Sequence, residues 1–87
     1  MYIGKVVGNV VSTKKEESLT GYKLMIVERI QRSNQEKLEE IVAVDLVGAG
    51  RGEFVLIVKG SSARMAAKNQ EAPIDATIVG IIDTFDD

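Results

Sequence analysis

The chain has neither cysteine nor histidine in its 87 residues, so the side chains left to do chemistry are carboxylates, lysines and arginines. Thiolate nucleophiles, imidazole bases, disulfides and nearly all zinc or copper sites are removed together, because each needs sulfur or imidazole. Asp45, Glu53, Asp75 and Asp83 stand in or beside apolar runs, where loss of water favours a protonated acid. Acid/base work needs two carboxylates held at a fixed separation, and no spacing here singles out a pair. Carboxylates at strand ends more commonly accept hydrogen bonds from loop N–H groups. The residue types therefore point away from an enzyme, and they call for no metal and no cofactor.

The densest unusual pattern is VGAGRGEF, which places Gly48, Gly50 and Gly52 within five positions, between two apolar runs. A phosphate-binding loop would need G-x-G-x-x-G leading from a strand into a helix, or a lysine followed by Ser or Thr. This stretch reads G-x-G-x-G and leads into FVLIV, a strand pattern. Glycines in that setting supply positive φ in a turn or let another backbone come close. Further on, Arg64 in GSSAR is a lone cation among small residues. It suits either a carboxylate across a subunit boundary or an exposed place on a helix.

Five runs rich in Val, Ile and aromatic residues have the lengths and boundaries of strands: 2–11, 22–30, 41–47, 54–59 and 76–85. The polar stretches 14–18 and 31–40 fall where connections belong, and the second could also lengthen the hairpin between strands two and three. Residues 61–69 predict one short helix, with Ser61 or Ser62 as its cap and Pro73 beyond its end. The expectation is one domain over residues 1–87, all-β, a small five-stranded barrel or sandwich with one short helix.

Alternation within the fourth strand sends Phe54, Leu56 and Val58 one way and Val55 and Ile57 the other; in the fifth it opposes Ile78 and Ile82 to Val79 and Ile81. Both faces are apolar, yet a barrel has one inside. Since large exposed apolar patches are uncommon on monomers, some outward faces are expected to be covered by other copies of the chain.

A formal charge of -2 gives no attraction for a polyanion, and the four aromatic residues (Tyr2, Tyr22, Phe54, Phe85) are too few for a stacking surface. Nucleic acid is not an expected partner. No apolar run reaches the roughly 18 residues of a membrane-spanning helix, so no membrane is expected either. A small oligomeric barrel that binds a ligand or nucleic acid is the alternative reading, because five-stranded barrels serve that purpose.

The blocks VVGNVVSTKK, SLTGYKLMIV, VAVDLVGAGRGEFVLIVKGSSAR and PIDATIVGIID, in this order, resemble the signature of the EutN/CcmL family of bacterial microcompartment and carboxysome shell proteins. The likeness spans residues 2–85. It implies a small oligonucleotide-binding-like (OB-like) β-barrel without catalytic activity, assembled as a ring of five, with rings of six also known in the family. Such rings close the vertices of a polyhedral shell in the bacterial cytoplasm, among hexameric shell proteins of another fold.

Carried onto matching positions, the resemblance places Gly48, Ala49, Gly50, Gly52 and Glu53 toward the five-fold axis or the contact beside it. It places Gly60, Ser61, Ser62, Ala63 and Arg64 near a neighbouring chain. Many members have tryptophan where this chain has Phe54, which should keep an aromatic packing role with less area. Some also continue beyond the position of Asp87, which implies one contact fewer here.

Overall fold

The computed structural model describes residues 1–86. Its strands are β1 (Tyr2–Val10), β2 (Lys23–Gln31), β3 (Glu36–Asp45), β4 (Phe54–Lys59) and β5 (Ala76–Ile82). A helix α1 (Gly60–Ala66) joins β4 to the segment before β5, and a short 3-10 turn, Glu17–Leu19, precedes β2. The strands close into a barrel in the order β1-β2-β3-β5-β4, with β4 returning to β1. All pairings are antiparallel except β3 with β5, which run parallel at Val44↔Thr77 and Asp45↔Ile78. The closed five-stranded barrel with one short helix is the architecture that the family resemblance implied, and it decides between the barrel and the sandwich that the strand pattern left open.

Strand alternation fills the barrel with Val6, Val27, Val55, Ile57 and Ile78, all fully buried, joined by Met25, Ala43 and Ala49. Residues one step along point outward, and at one end of the barrel they are covered from outside. There Val44, Val58 and Thr77 lie against α1 and the segment that follows it, in a second cluster with Ala63, Ala72 and Ile74. Thr77, buried, donates through Oγ1 to the carbonyl of Ala63 at 2.9 Å, and Tyr22 Oη donates to the carbonyl of Ala67 at 3.1 Å. The helix is thus a plug on the barrel wall.

Three local expectations need correction. The fifth strand does not alternate evenly: Leu56 faces Gly80 while Ile57 faces Ile78, so Val79 is an extra residue. That bulge turns Ile78 and Ile81 toward the same core, where simple alternation opposed them. The helix begins at Gly60, one residue before Ser61, and its N-cap is Lys59 without a side-chain capping bond. Gly60 supplies the entry with a φ of +62°, so the chain turns into the helix by backbone geometry and neither serine hydroxyl is used as a cap. Finally, the third strand starts at Glu36 where the apolar run began at 41, because the β2–β3 pairing continues to Gln31↔Glu36 through a register shift beside Ile30; of the two roles open to residues 31–40, lengthening the hairpin is the one observed.

Candidate subunit-contact site

The glycine-rich connection between β3 and β4 is braced by the two carboxylates at its ends. Asp45, half-buried, accepts from the N–H of Val47 at 3.0 Å and from that of Ala49 at 2.8 Å, one bond to each oxygen. Glu53 accepts from the N–H of Gly50 at 2.6 Å through Oε1, while its own N–H donates to the Gly50 carbonyl at 3.1 Å. Two further bonds stitch the loop to β1: Gly52 N–H to the Val6 carbonyl at 2.7 Å, and Val6 N–H to the Glu53 carbonyl at 2.9 Å. These are the loop N–H bonds that strand-end carboxylates were expected to make. Glu53, Asp75 and Asp83 are exposed, and among the described residues no cluster of acids is arranged to hold a metal.

Within the chain, the three glycines serve two purposes. Gly48 and Gly52 have φ of +77° and +91°, where a Cβ is strained although the space around each is open. Gly50 has an ordinary φ, and a Cβ there would lie 3.3 Å from Glu53 Oε1. Turn formation therefore accounts for two of the three, and room for the Glu53 brace for the third. Ala49 points inward and is buried in the barrel core. What the loop presents to its surroundings is the backbone at Gly48 and Gly52, Arg51, and the exposed side chains of Leu46 and Val47.

The second candidate segment is held by different contacts. Gly60 N–H donates to the Asp75 carbonyl at 2.9 Å, and Lys59 Nζ lies 3.7 Å from Asp75 Oδ2. Ala63 is fully buried under Thr77, while Ser61 and Ser62 are exposed. Arg64 is half-buried and donates to the carbonyl of Ile74 at 3.1 Å, so it ties α1 to the segment before β5. This third arrangement is neither of the two roles weighed from sequence. Ala49 and Ala63 belong to separate packing clusters, so the two candidate segments are positioned by different parts of the fold.

Gly4 stands in no motif, yet its place in β1 is the most crowded of any glycine. A Cβ there would come within 2.5 Å of Val27 Cγ1, 2.7 Å of Ile57 Cδ1 and 3.1 Å of the Glu28 carbonyl. It is the tightest backbone approach among the glycines, and its only sequence signal was a glycine interrupting an apolar strand. Phe54 packs as expected for an aromatic: its ring meets Phe85 edge-on at 5.6 Å, and Lys5 Nζ lies 5.8 Å from its centroid.

Comparison with known proteins places this barrel. The family model described as "Ethanolamine utilisation protein EutN/carboxysome" matches residues 1–83. The bacterial microcompartment shell vertex protein GrpN of Rhodospirillum rubrum is 49% identical over 86 residues, covering 99% of this chain and 97% of that protein. The carboxysome shell vertex protein CcmL of Synechococcus elongatus is 50% identical over 84 residues, covering 97% of this chain and 85% of its own length. Among solved structures, the GrpN pentameric microcompartment shell protein from R. rubrum superposes with a TM-score of 0.89 at 48% identity, over 100% of this chain and 99% of that one. The chain belongs to the EutN/CcmL family.

Proposed function

We propose that this chain is a structural shell protein, five copies of which form a closed ring that caps a vertex of a bacterial microcompartment shell. The observation that carries the reading is end-to-end likeness to a pentameric shell protein at nearly half sequence identity, with no large insertion or deletion. The role is mechanical: the ring supplies curvature and sealing, without catalysis. In it, Gly48, Ala49, Gly50, Gly52 and Glu53 lie toward the axis or the contact beside it, and Gly60, Ser61, Ser62, Ala63 and Arg64 lie near the adjoining copy. The rigidity of both segments supports this, since a braced loop loses little conformational entropy on meeting a neighbour. Hexameric shell proteins of another fold surround the ring.

Native mass spectrometry of the purified chain over a dilution series tests the ring. A persistent five-chain species is expected; a stable monomer would overturn the proposal, and a six-chain species would keep the family but remove the vertex geometry. Co-purification with a hexameric shell protein from cells producing both tests the surroundings of the ring.

A further inference from the structure

The sheet runs out of partners for β5 at Ile82. The β4–β5 ladder ends at Phe54↔Ile82, because β4 begins at Phe54 and the residue before it is already engaged: Glu53 donates its N–H to the Gly50 carbonyl, and its own carbonyl accepts from Val6. The chain after Ile82 therefore leaves the barrel. Of the residues that follow, Asp83, Thr84 and Asp86 are polar and exposed, while Phe85 among them is half-buried.

Phe85 covers one row of the outer wall. Phe54 stands opposite both Lys5 and Ile82, and the next residue of β4, Val55, is fully buried, so Phe54 faces away from the core. Phe85 meets that ring edge-on, with 5.6 Å between centroids and 77° between planes. Lys5 Nζ lies 5.8 Å from the centroid of the same ring.

We infer that residues 83–86 form a lid, with Phe85 as its latch, which closes over Phe54 on the outer wall and opens to uncover it. An edge-on pair of rings is a favourable geometry but a small contact, and no rung of the β4–β5 ladder lies beyond Ile82 to add to it. Segments held by few buried apolar contacts open far more readily than the barrel as a whole. Opening swings Phe85 out and leaves the Phe54 ring to Lys5 and water, while Val55 and the core behind it stay packed. Closure thus regulates access, because whatever docks on the Phe54 row must first displace Phe85.

The chain has two phenylalanines, Phe54 and Phe85, so 4-fluorophenylalanine in the full chain gives two fluorine NMR signals. Phe85→Ala and Phe85→Tyr each leave one, from Phe54. Phe85→Ala is expected to shift that signal and to increase its broadening by a water-soluble nitroxide, with circular dichroism showing the barrel intact. Phe85→Tyr restores the ring and should return the signal to its position in the unsubstituted chain. An open state on the order of 1–10% should grow on warming, so the gap between the Phe54 signals of the unsubstituted chain and of Phe85→Ala should narrow. A Phe54 signal that Phe85→Ala leaves unmoved, or no more accessible to the nitroxide, overturns the inference; that is the result expected if another protein chain covers the row. A gap that stays constant on warming would make the segment a fixed strap, and the lid would be wrong.

Discussion

At the scale of single residues, the glycines differ in what a methyl group would cost. At Gly4 a Cβ collides with two packed core side chains, Val27 and Ile57, and comes tight against the backbone carbonyl of Glu28, so the core must shift to admit it. Gly4→Ala is therefore expected to destabilise the barrel by about 1–3 kcal/mol, the usual range for overpacking. At Gly50 the neighbour is the far end of the Glu53 side chain, which can swing aside, so Gly50→Ala should cost clearly less. Urea unfolding of both variants at one protein concentration checks the ranking, and an equal cost would contradict it. Asp45 is the other residue whose removal should be felt, because it alone accepts from both Val47 and Ala49. Asp45→Ala leaves two N–H groups without that acceptor and should cost about 1–3 kcal/mol. Faster hydrogen exchange at those two amides would identify the loop as the part that loosens.

At the scale of elements, the strands were legible because their residues are strongly β-forming and their boundaries are marked. What could not be read depends on pairing between distant segments. The Val79 bulge is a mismatch between β4 and β5, invisible in β5 taken alone, and it decides that Ile81 faces the core. The extension of β3 back to Glu36 is likewise a property of its partner. Residues 36–40 are exposed and, Leu38 apart, charged, and by themselves they suit a loop or a longer hairpin equally; β2 supplies the ladder that makes them a strand. The braces at Asp45 and Glu53 followed from a general habit of strand-end carboxylates, whereas Arg64's bond to Ile74 needed the path of a nine-residue connection. That projecting hairpin also carries a pH signature. Lys37, 3.0 Å from Glu28, is held above the usual lysine pKa, first by the hydrogen bond to Glu28 and then by its charge. Since the folded pKa is raised, the stabilisation is full below the unfolded lysine value and is lost as pH climbs through the folded one, in the alkaline range. Glu28→Gln should lower the Lys37 titration midpoint followed by NMR, and added salt should shrink the difference, because the ammonium is exposed to water.

At the scale of the whole molecule, the barrel has to be stable with little interior. A domain of this length buries on the order of 60–65% of the surface its unfolded chain exposes, and here neither a disulfide nor a cysteine- or histidine-held metal is available to add to that. Apolar residues that a larger protein would keep inside, such as Val42 and Leu46, stand on the outer surface. If copies of the chain cover such residues, assembly and folding share one free energy, and the native state is favoured by mass action. The melting temperature should then rise with protein concentration. When a ring dissociates as it unfolds, a ten-fold increase in protein stabilises each copy by roughly 1 kcal/mol, which for a domain this small is about 4–8 °C. Val42→Glu should abolish that dependence while lowering the melting temperature to a constant value. An interface closed mainly by apolar area should also weaken on cooling and withstand high salt, whereas one closed by ion pairs would come apart in salt. A melting temperature that stays flat across a hundred-fold range of wild-type protein would mean that the barrel is self-sufficient and that its outer apolar rows contribute nothing to stability.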